Sequence, residues 1–315
     1  MTRNTILSLK GFLLFLFLTS LLTFYSCKQP EQEPVFKERI TYVSDGTIHV
    51  AGLKDNTYTE VGPGTEPALS FDGRYLAYVN NVGNKQRIAI LDFPNRNTNI
   101  IEDVQGTSWN PVWSPTENRF LFSARVDFKG SSYQVAIVGH AREENKYVIA
   151  REGVNIISPS WAPDGESIYA HDTRFLYQFE KTGMLIGHAV MKEKFGSLHY
   201  NESTVVLPSP DGNRWLIGTG PEEPIGRPRK TSLTLFLFDE LDKSTTRISP
   251  EELFISDFNW SSDSLGIIFS GKKTQGQRQT DIYNLSLSDG RFERLVKNAT
   301  QPSCQDIRVM QANKQ

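Results

Sequence analysis

The chain has 315 residues, of which 38% are hydrophobic and 22% charged, and its formal net charge at pH 7 is −2. A charge this close to zero argues against a general nucleic-acid binder or a polybasic membrane-surface protein. The length alone would suggest two domains, but repeat architectures often occupy it as one.

The first 27 residues have the pattern of an export signal. Arg3 and Lys10 precede an almost unbroken apolar run, residues 11–22, which is followed by Ser26 and Cys27. This run is short for a spanning helix. The cut site resembles a bacterial lipoprotein box, in which Cys27 would be lipidated and become the first residue. A simple secretory cut or an uncleaved anchor are the alternatives. Loss of the signal would change the formal charge from −2 to −4.

Residues 28–37 are predicted to be a flexible tether, because they contain prolines among Gln and Glu and little to bury. Lys28 stands where some bacteria place the aspartate that retains a lipoprotein in the inner membrane, so the resemblance implies the outer membrane. If Cys27 is lipidated, Cys304 has no partner, and no intramolecular disulfide is expected. We expect Cys304 to behave as a small buried hydrophobe.

The rest of the sequence is organised by a repeated marker. Its fullest copy is Trp161-Ala162-Pro163-Asp164-Gly165, and looser copies centre on Ser70, Ser114, Ser209 and Ser261 at steps of 44, 48, 47 and 52 residues. Pro fixes φ, Asp bonds the backbone ahead and Gly accepts positive φ, so each copy predicts a tight hairpin. A period in the forties filled with strands is typical of propeller blades.

The apolar, β-rich runs between successive markers predict four strands in each period. The run before each marker is the first strand. Second strands are expected at 74–80, 118–124, 166–172, 213–219 and 265–271, and third strands at 87–93, 133–140, 174–180, 232–239 and 280–287. The fourth, more polar strands are expected at 97–103, 145–151, 184–190, 245–249 and 292–298.

The marker resembles the TolB-type β-propeller repeat, a relative of the WD repeat whose pattern is Trp-Ser-Pro-Asp-Gly before an apolar strand. Residues 161–170 match it nearly throughout, and the resemblance covers roughly residues 38–312. The other copies depart from it: Thr116-Glu117 replaces Asp-Gly, Ser262 replaces Pro, and Pro208 stands where Trp is expected. In that family the propeller follows an α/β domain, and the propeller docks a peptidoglycan-associated lipoprotein. Here the first strand begins so soon after Cys27 that we expect no such domain.

The two ends predict a sixth blade. Residues 38–44, 47–53 and 57–61 look like second, third and fourth strands, and 302–310 looks like the missing first strand. We therefore predict an all-β, six-bladed propeller over residues 38–315, closed by pairing the N-terminal strands with a C-terminal strand. Closure leaves only short outer edges exposed.

No catalytic or metal-binding set can be found in the sequence. The five histidines are scattered without metal-ligand spacing, so no metal or cofactor is expected. The repeated Asp72, Asp164, Asp211 and Asp263 are explained by turn chemistry. Marker tryptophans at 113, 161 and 260 are interpreted as wedges between blades rather than a carbohydrate-stacking stripe.

The loops between second and third strands emerge on one face, called the loop face below, and concentrate basic residues. They span 45–46, 81–86, 125–132, 172–173, 220–231 and 272–279, with formal charges that sum to +4. We expect the connection 191–203 to add Lys192, Lys194 and His199. The candidate partner-binding residues are Arg227, Arg229, Lys230, Lys272, Lys273 and Arg278. The alternative is that these loops are merely solvated.

These observations predict an exported, lipid-anchored, monomeric propeller that binds or scaffolds at the cell envelope. Its partner would be an envelope protein or an acidic cell-wall or lipid component, and not nucleic acid. An enzyme of the lyase or hydrolase type is the first alternative, and histidines converging on the central channel would favour it. The second is a small-ligand or carbohydrate binder, which an apolar, carboxylate-rimmed channel would favour.

Overall fold

The structure is a computed structural model. It describes residues 35–309 except 103, 105, 129, 143–145, 152, 221–231 and 275–276, so the predicted signal, most of the predicted tether and Cys27 lie outside the described residues. Residues Phe36–Val309 group as one compact unit.

The described chain folds into 24 strands that form six four-stranded antiparallel sheets. In chain order the strands are β1 (Val35–Ser44), β2 (Thr47–Gly52), β3 (Tyr58–Pro63), β4 (Thr65–Leu69), β5 (Tyr75–Val82), β6 (Lys85–Asp92), β7 (Asn97–Ile100), β8 (Ser108–Trp113), β9 (Arg119–Phe128), β10 (Ser131–His140), β11 (Tyr147–Ile149) and β12 (Ile157–Trp161). They continue as β13 (Ser167–His171), β14 (Phe175–Glu180), β15 (Leu185–Val190), β16 (Val205–Pro208), β17 (Arg214–Thr219), β18 (Thr234–Asp239), β19 (Thr245–Arg247), β20 (Phe254–Trp260), β21 (Gly266–Lys272), β22 (Asp281–Ser286), β23 (Phe292–Val296) and β24 (Thr300–Val309). One short helix, α1 (Met191–Phe195), follows β15.

Each sheet is one blade, numbered 1 to 6 from β4, and the predicted closure is confirmed. Blades 1 to 5 each use four consecutive strands, whereas the sixth has the order β24-β1-β2-β3. Thr41 of β1 is buried, and its hydroxyl donates to Pro67 O at 3.0 Å and faces Ser303 O at 3.5 Å. This side chain therefore links blade 6 to blade 1, so both ends of the described chain hold the same sheet.

The core consists of layers between neighbouring blades. The buried apolar residues of the described chain divide into six clusters, each drawing on two successive blades. Because β-branched and aromatic residues alternate along the inner strands, each sheet presents an apolar face to each neighbour.

The marker tryptophans are wedges, as predicted. Each is about 5% exposed, and each indole N–H donates to a carbonyl of the preceding blade's first strand. The bonds run from Trp113 to Ala68 O at 2.9 Å, from Trp161 to Val112 O at 3.2 Å and from Trp260 to Leu207 O at 3.1 Å.

Blade 4 lacks this wedge, because Pro208 takes the place of the tryptophan. Trp215 of β17 and Phe195 of α1 fill the same layer, with ring centroids 5.5 Å apart. The connection after β15 thus contains a helix that the sequence patterns did not predict, and its buried Met191 and Phe195 replace the missing side chain.

Candidate functional site

The hairpins between second and third strands and the connections between blades open on one face, because the four strands of a blade alternate in direction. This is the predicted loop face. Lys272 ends β21, and Lys273 and Arg278 are exposed in the connection to β22. Arg227, Arg229 and Lys230 lie outside the described residues.

The two rims of the ring differ in how their basic side chains are paired. Within the described chain, Lys272, Lys273 and Arg278 form no ion pair. On the opposite rim, three turns between third and fourth strands contain a basic side chain paired with a carboxylate: Lys54 with Glu38 at 3.5 Å, Lys243 with Glu240 at 2.6 Å and Arg291 with Asp289 at 3.8 Å. Arg96, in the β6–β7 turn, is exposed and forms no ion pair within the described chain. The β21–β22 connection is therefore a source of uncompensated positive charge.

Lys194 was expected on the loop face, and that prediction is wrong. Its ammonium lies 2.5 Å from Glu240, which belongs to the β18–β19 turn on the opposite rim. It also sits 5.1 Å from the centre of the Trp215 ring. Burial would raise the pKa of Glu240, but hydrogen bonds from Lys194, Lys243 and Trp215 lower it to about 2. Because α1 fills the layer between blades 3 and 4, Lys194 is a structural cation.

The central channel contains a cavity of about 560 Å³ lined by the six innermost strands. Its wall includes seven prolines, four tryptophans and nine serines, and Pro115, Pro163 and Pro210 come from the marker turns. Four carboxylates also line it, namely Glu66, Glu202, Asp257 and Asp306, whereas none of its described lining residues is Lys, Arg or His. The channel is thus apolar with acidic groups, the character that favours a small-ligand site.

Near the loop face, four innermost strands have the same backbone feature. Glu66, Asn110, Ser158 and Gln301 each precede a proline and each have φ between 49° and 54°. In three of these strands the ladder with the second strand also shifts register at this point. Left-handed backbone at a non-glycine residue costs on the order of 1–3 kcal/mol. Four such residues at one level of the ring indicate that other contacts hold them there.

Those contacts form a belt around the channel. Gln301 Oε1 accepts the N–H of Glu66 at 2.9 Å, and Glu66 Oε2 accepts the N–H of Asn110 at 2.5 Å. Ser158 Oγ likewise accepts the N–H of Val206 at 3.3 Å. In each case a side chain on one blade binds the backbone of the next, so the belt joins the blades at the channel mouth.

Two carboxylates of the channel have contrasting surroundings. Burial raises the pKa of Glu66, the bond from Asn110 opposes this, and the charge of Asp257 adds to the rise. Asp257 Oδ2 accepts hydrogen bonds from the hydroxyls of Ser270 at 2.7 Å and Thr300 at 3.0 Å. Asp257 therefore also joins blade 5 to blade 6, whereas burial is the main cause of the raised pKa of Glu66.

The repeated aspartates have the turn role that was predicted. Asp72 Oδ1 accepts the Ser70 hydroxyl at 2.7 Å and the Arg74 N–H at 3.0 Å. Asp211 and Asp263 repeat both kinds of bond in blades 4 and 5.

The histidines do not converge in the described chain. They lie on β2, β10, β13, β15 and the connection after α1, and the described residues hold no group of three potential metal ligands. His171 is fully buried: its Nε2 lies 3.0 Å from Thr204 O, and its Nδ1 accepts the Thr173 N–H at 3.1 Å. Burial lowers its pKa to about 4. None of the described helices is long and apolar enough to cross a membrane.

Comparison with known proteins bears on the fold. No protein-family model matches the sequence, and no curated protein matches it. Among solved structures, TolB from Acinetobacter baumannii superposes with a TM-score of 0.61 at 16% identity, over 84% of this chain and 66% of that one. A protein described as a TolB from Agrobacterium tumefaciens gives 0.59 at 14% identity, over 87% of this chain and 100% of that one.

The fold is that of a TolB-type β-propeller. Hydrazine synthase from Kuenenia stuttgartiensis also superposes, with a TM-score of 0.60 at 10% identity, over 87% of this chain and 47% of that one. At such identities the likeness shows the fold alone, since propellers host many unrelated functions. The fold therefore does not determine the activity of this TolB-type propeller, which depends on its own surfaces.

Cys304 takes the place of a marker tryptophan in the first strand of blade 6. It was expected to be buried: the residue as a whole is partly exposed, but it packs against the cluster that contains Ile40 and Tyr42. Burial of its thiol raises the pKa of that group.

Proposed function

We propose that this TolB-type propeller is a protein-binding or scaffolding module of the bacterial cell envelope rather than an enzyme. The signal-like residues 1–27 and the TolB-like fold support export. A lipid on Cys27 would hold it at a membrane, which we take to be the outer membrane because of Lys28. The flexible residues 28–37 would let it stand off the bilayer.

The observation that carries the proposal is the charge asymmetry of the two rims. Lys272, Lys273 and Arg278 are not neutralised by any described carboxylate, although the protein is acidic overall. The ring positions their loop, and the sequence has further basic residues, Arg227, Arg229 and Lys230, between β17 and β18, outside the described residues. Such a face fits an acidic partner, either an envelope protein or an acidic cell-wall or lipid component.

Affinity capture from solubilised envelope tests this proposal. The unaltered chain is compared with a variant that carries Lys272→Ser, Lys273→Ser and Arg278→Ser. The matched control carries Lys54→Ser, Lys243→Ser and Arg291→Ser, which removes the same charge from the opposite rim. We expect the first variant to lose a partner that the control retains, and we expect captured partner to decrease as salt is raised.

Equal capture by both variants would contradict a binding site on the β21–β22 connection. Adding Arg227→Ser, Arg229→Ser and Lys230→Ser to the first variant then extends the test to the neighbouring loop. If capture still persists, the basic residues of these two loops are excluded as the binding site.

The channel favours a second candidate function, the binding of a small cationic ligand. Four carboxylates without a cationic side chain among the described lining residues would attract positive charge, and the tryptophan and proline walls would contact its apolar part. Glu66 is central because it lies at the mouth and is poorly solvated.

Thermal unfolding in the presence of spermidine tests the channel. We expect spermidine to raise the Tm of the unaltered chain and to have a smaller effect on Glu66→Gln, whose amide oxygen can still accept the Asn110 N–H. The control is Glu251→Gln, an 87% exposed carboxylate outside the channel. Equal shifts in all three proteins would exclude Glu66 as a ligand-binding group.

A further inference from the structure

The carboxylates that line the channel are divided between its two ends. Glu66 and Asp257 each stand four residues before a marker serine, Ser70 and Ser261, and the charge of Asp257 reaches Glu66. Both therefore lie at the mouth on the loop face. The connection after α1 adds Glu202 to this end.

The fourth carboxylate of the described lining, Asp306, lies at the other end. It follows Cys304 by two residues, where the marker turns begin in the other blades. Its charge acts on the Cys304 thiol together with the charges of Glu38 and Asp263. Asp263 belongs to the marker turn of blade 5, in which the Ser262 hydroxyl donates to Glu38 Oε1 at 3.1 Å. Asp306 is therefore at the opposite rim.

The two ends are far apart along the channel. Gln301, whose Oε1 accepts the Glu66 N–H, stands at the mouth. From Gln301 to Asp306 the strand β24 rises about 16 Å, at about 3.3 Å per residue. The prolines and tryptophans of the wall lie between these ends, and the volume of about 560 Å³ is in the range of small-molecule sites. The channel is thus an elongated cavity with an acidic group at each end.

One polar group of the wall lacks a partner. Ser123 lines the cavity and is 1% exposed, and its hydroxyl forms no hydrogen bond to a residue of the described chain. It pairs with Trp109 in the ladder between β8 and β9. Trp109 directly precedes Asn110 of the belt, so Ser123 is near the mouth. Buried hydroxyls are nearly always hydrogen-bonded, and this one therefore indicates that a molecule in the channel bonds to it.

We propose that the channel binds a linear molecule with a cationic group at each end, of the diamine and polyamine class. One ammonium binds the carboxylates of the mouth, Glu66 and Asp257, and donates to the Ser123 hydroxyl. The other binds Asp306, and the alkyl chain between them contacts the tryptophans and prolines. The proposal rests on the binding of a cation in the channel, and adds the length of the ligand and its second anchor.

A single compact cation fits these observations less well. It would compensate the charge at one end and leave the other, because the described lining has no basic side chain. A metal ion is also a poor fit, since the described residues contain no group of three potential metal ligands. A ligand with two separated cations compensates both ends at once.

Calorimetric titration of the full-length chain with two ligands of equal length tests the second anchor. The first is 1,10-diaminodecane, which is nearly as long as the channel, and the second is 10-amino-1-decanol, in which a hydroxyl replaces one ammonium. We expect the diamine to bind about ten-fold more tightly, because only its second ammonium forms a charge-assisted bond with Asp306. Asp306→Asn should reduce this ratio to less than about two-fold.

Matched variants separate the two ends. Asp289→Asn, which removes a carboxylate from the same rim outside the channel, should leave the ratio unchanged. Glu66→Gln and Ser123→Ala should each weaken both ligands by a similar factor, because they act at the end that both ligands share. The short 1,4-diaminobutane should bind equally to the unaltered chain and to Asp306→Asn. Melting curves show whether each variant has folded.

The possible failures are distinguishable. Equal affinities of the unaltered chain for the diamine and the amino alcohol would overturn the two-ended ligand, even if Glu66→Gln weakens both and so supports a cation site at the mouth. A ratio that Asp306→Asn leaves unchanged would overturn Asp306 as the second anchor. If neither ligand binds and spermidine does not bind either, the proposed channel function is itself wrong, and the two-ended ligand is excluded with it.

Discussion

His171 is predicted to make the protein less stable in acid by an amount that can be calculated. It ends β13 and is fully buried, and its Nε2–H donates to Thr204 O in the connection that holds α1. Its Nδ1 already accepts the Thr173 N–H. Protonation would add a second hydrogen at Nδ1, which faces that donor. Burial lowers the pKa of the imidazole to about 4, although the bond to Thr204 O and the charge of Asp172 oppose this.

The direction and size of this pH effect follow from the linkage between proton binding and unfolding. In the unfolded chain the pKa is about 6.5, so between about pH 6.5 and 4 the unfolded state binds a proton that the folded state does not. Above about pH 6.5, His171 does not contribute to the pH dependence of the free energy of unfolding. As the pH decreases from about 6.5 to 4, it lowers the stability of the folded state. At pH 4.5 the loss is about 2.5 kcal/mol relative to pH 7, taking about 1.4 kcal/mol for each pKa unit.

Urea unfolding of the unaltered chain and of His171→Gln at pH 7 and pH 4.5 measures this loss. The Gln amide can donate to Thr204 O but does not titrate, so the change in the free energy of unfolding between the two pH values should be about 2.5 kcal/mol smaller in the variant. Other titrating groups are common to both proteins and cancel in the comparison. Parallel pH profiles for the two proteins would refute the assignment of a neutral, buried His171.

Two further predictions concern the layers between blades. Phe195→Ala should reduce the free energy of unfolding by about 3–5 kcal/mol, because Phe195 is fully buried in the layer that lacks a marker tryptophan; Leu241→Ala, at an exposed turn, should change it by less than about 0.5 kcal/mol. Gly165→Ala should destabilise by more than about 1 kcal/mol, because Gly165 has φ +73° and a Cβ there would lie 2.1 Å from Thr116 Oγ1. Gly187→Ala, in open space, is its control, and equal melting temperatures for the two glycine variants would contradict the reasoning.

The blades could be predicted because the fold repeats one local rule. Each marker combines a turn that Asp and Gly close with apolar strands on both sides, and these are properties of a few neighbouring residues. The hairpin from Ser70 to Tyr75 shows this locality, since the Ser70 N–H, its hydroxyl and Asp72 supply the bonds of the turn. Closure could be predicted as well, because the unmatched strands at the two ends complete one blade.

Other features depend on pairs distant in sequence, and the patterns therefore missed them. Lys194 belongs to a connection of the loop face, yet it reaches Glu240 46 residues away on the opposite rim. Helix α1 was missed because it has only five residues. It fills the space between blades 3 and 4 that a marker tryptophan would occupy if Pro208 did not stand in its place.

The belt of left-handed residues connects the repeat to function. The prolines after Glu66, Asn110, Ser158 and Gln301 could be seen in the sequence, but a residue before proline ordinarily adopts an extended backbone. The left-handed conformation becomes favourable only when neighbouring blades supply bonds such as that from the Asn110 N–H to Glu66. At this level the four positions carry a carboxylate, two amides and a hydroxyl, and three of these side chains bond to the backbone of the next blade. At the channel mouth, groups that could face a ligand therefore also hold one blade to the next.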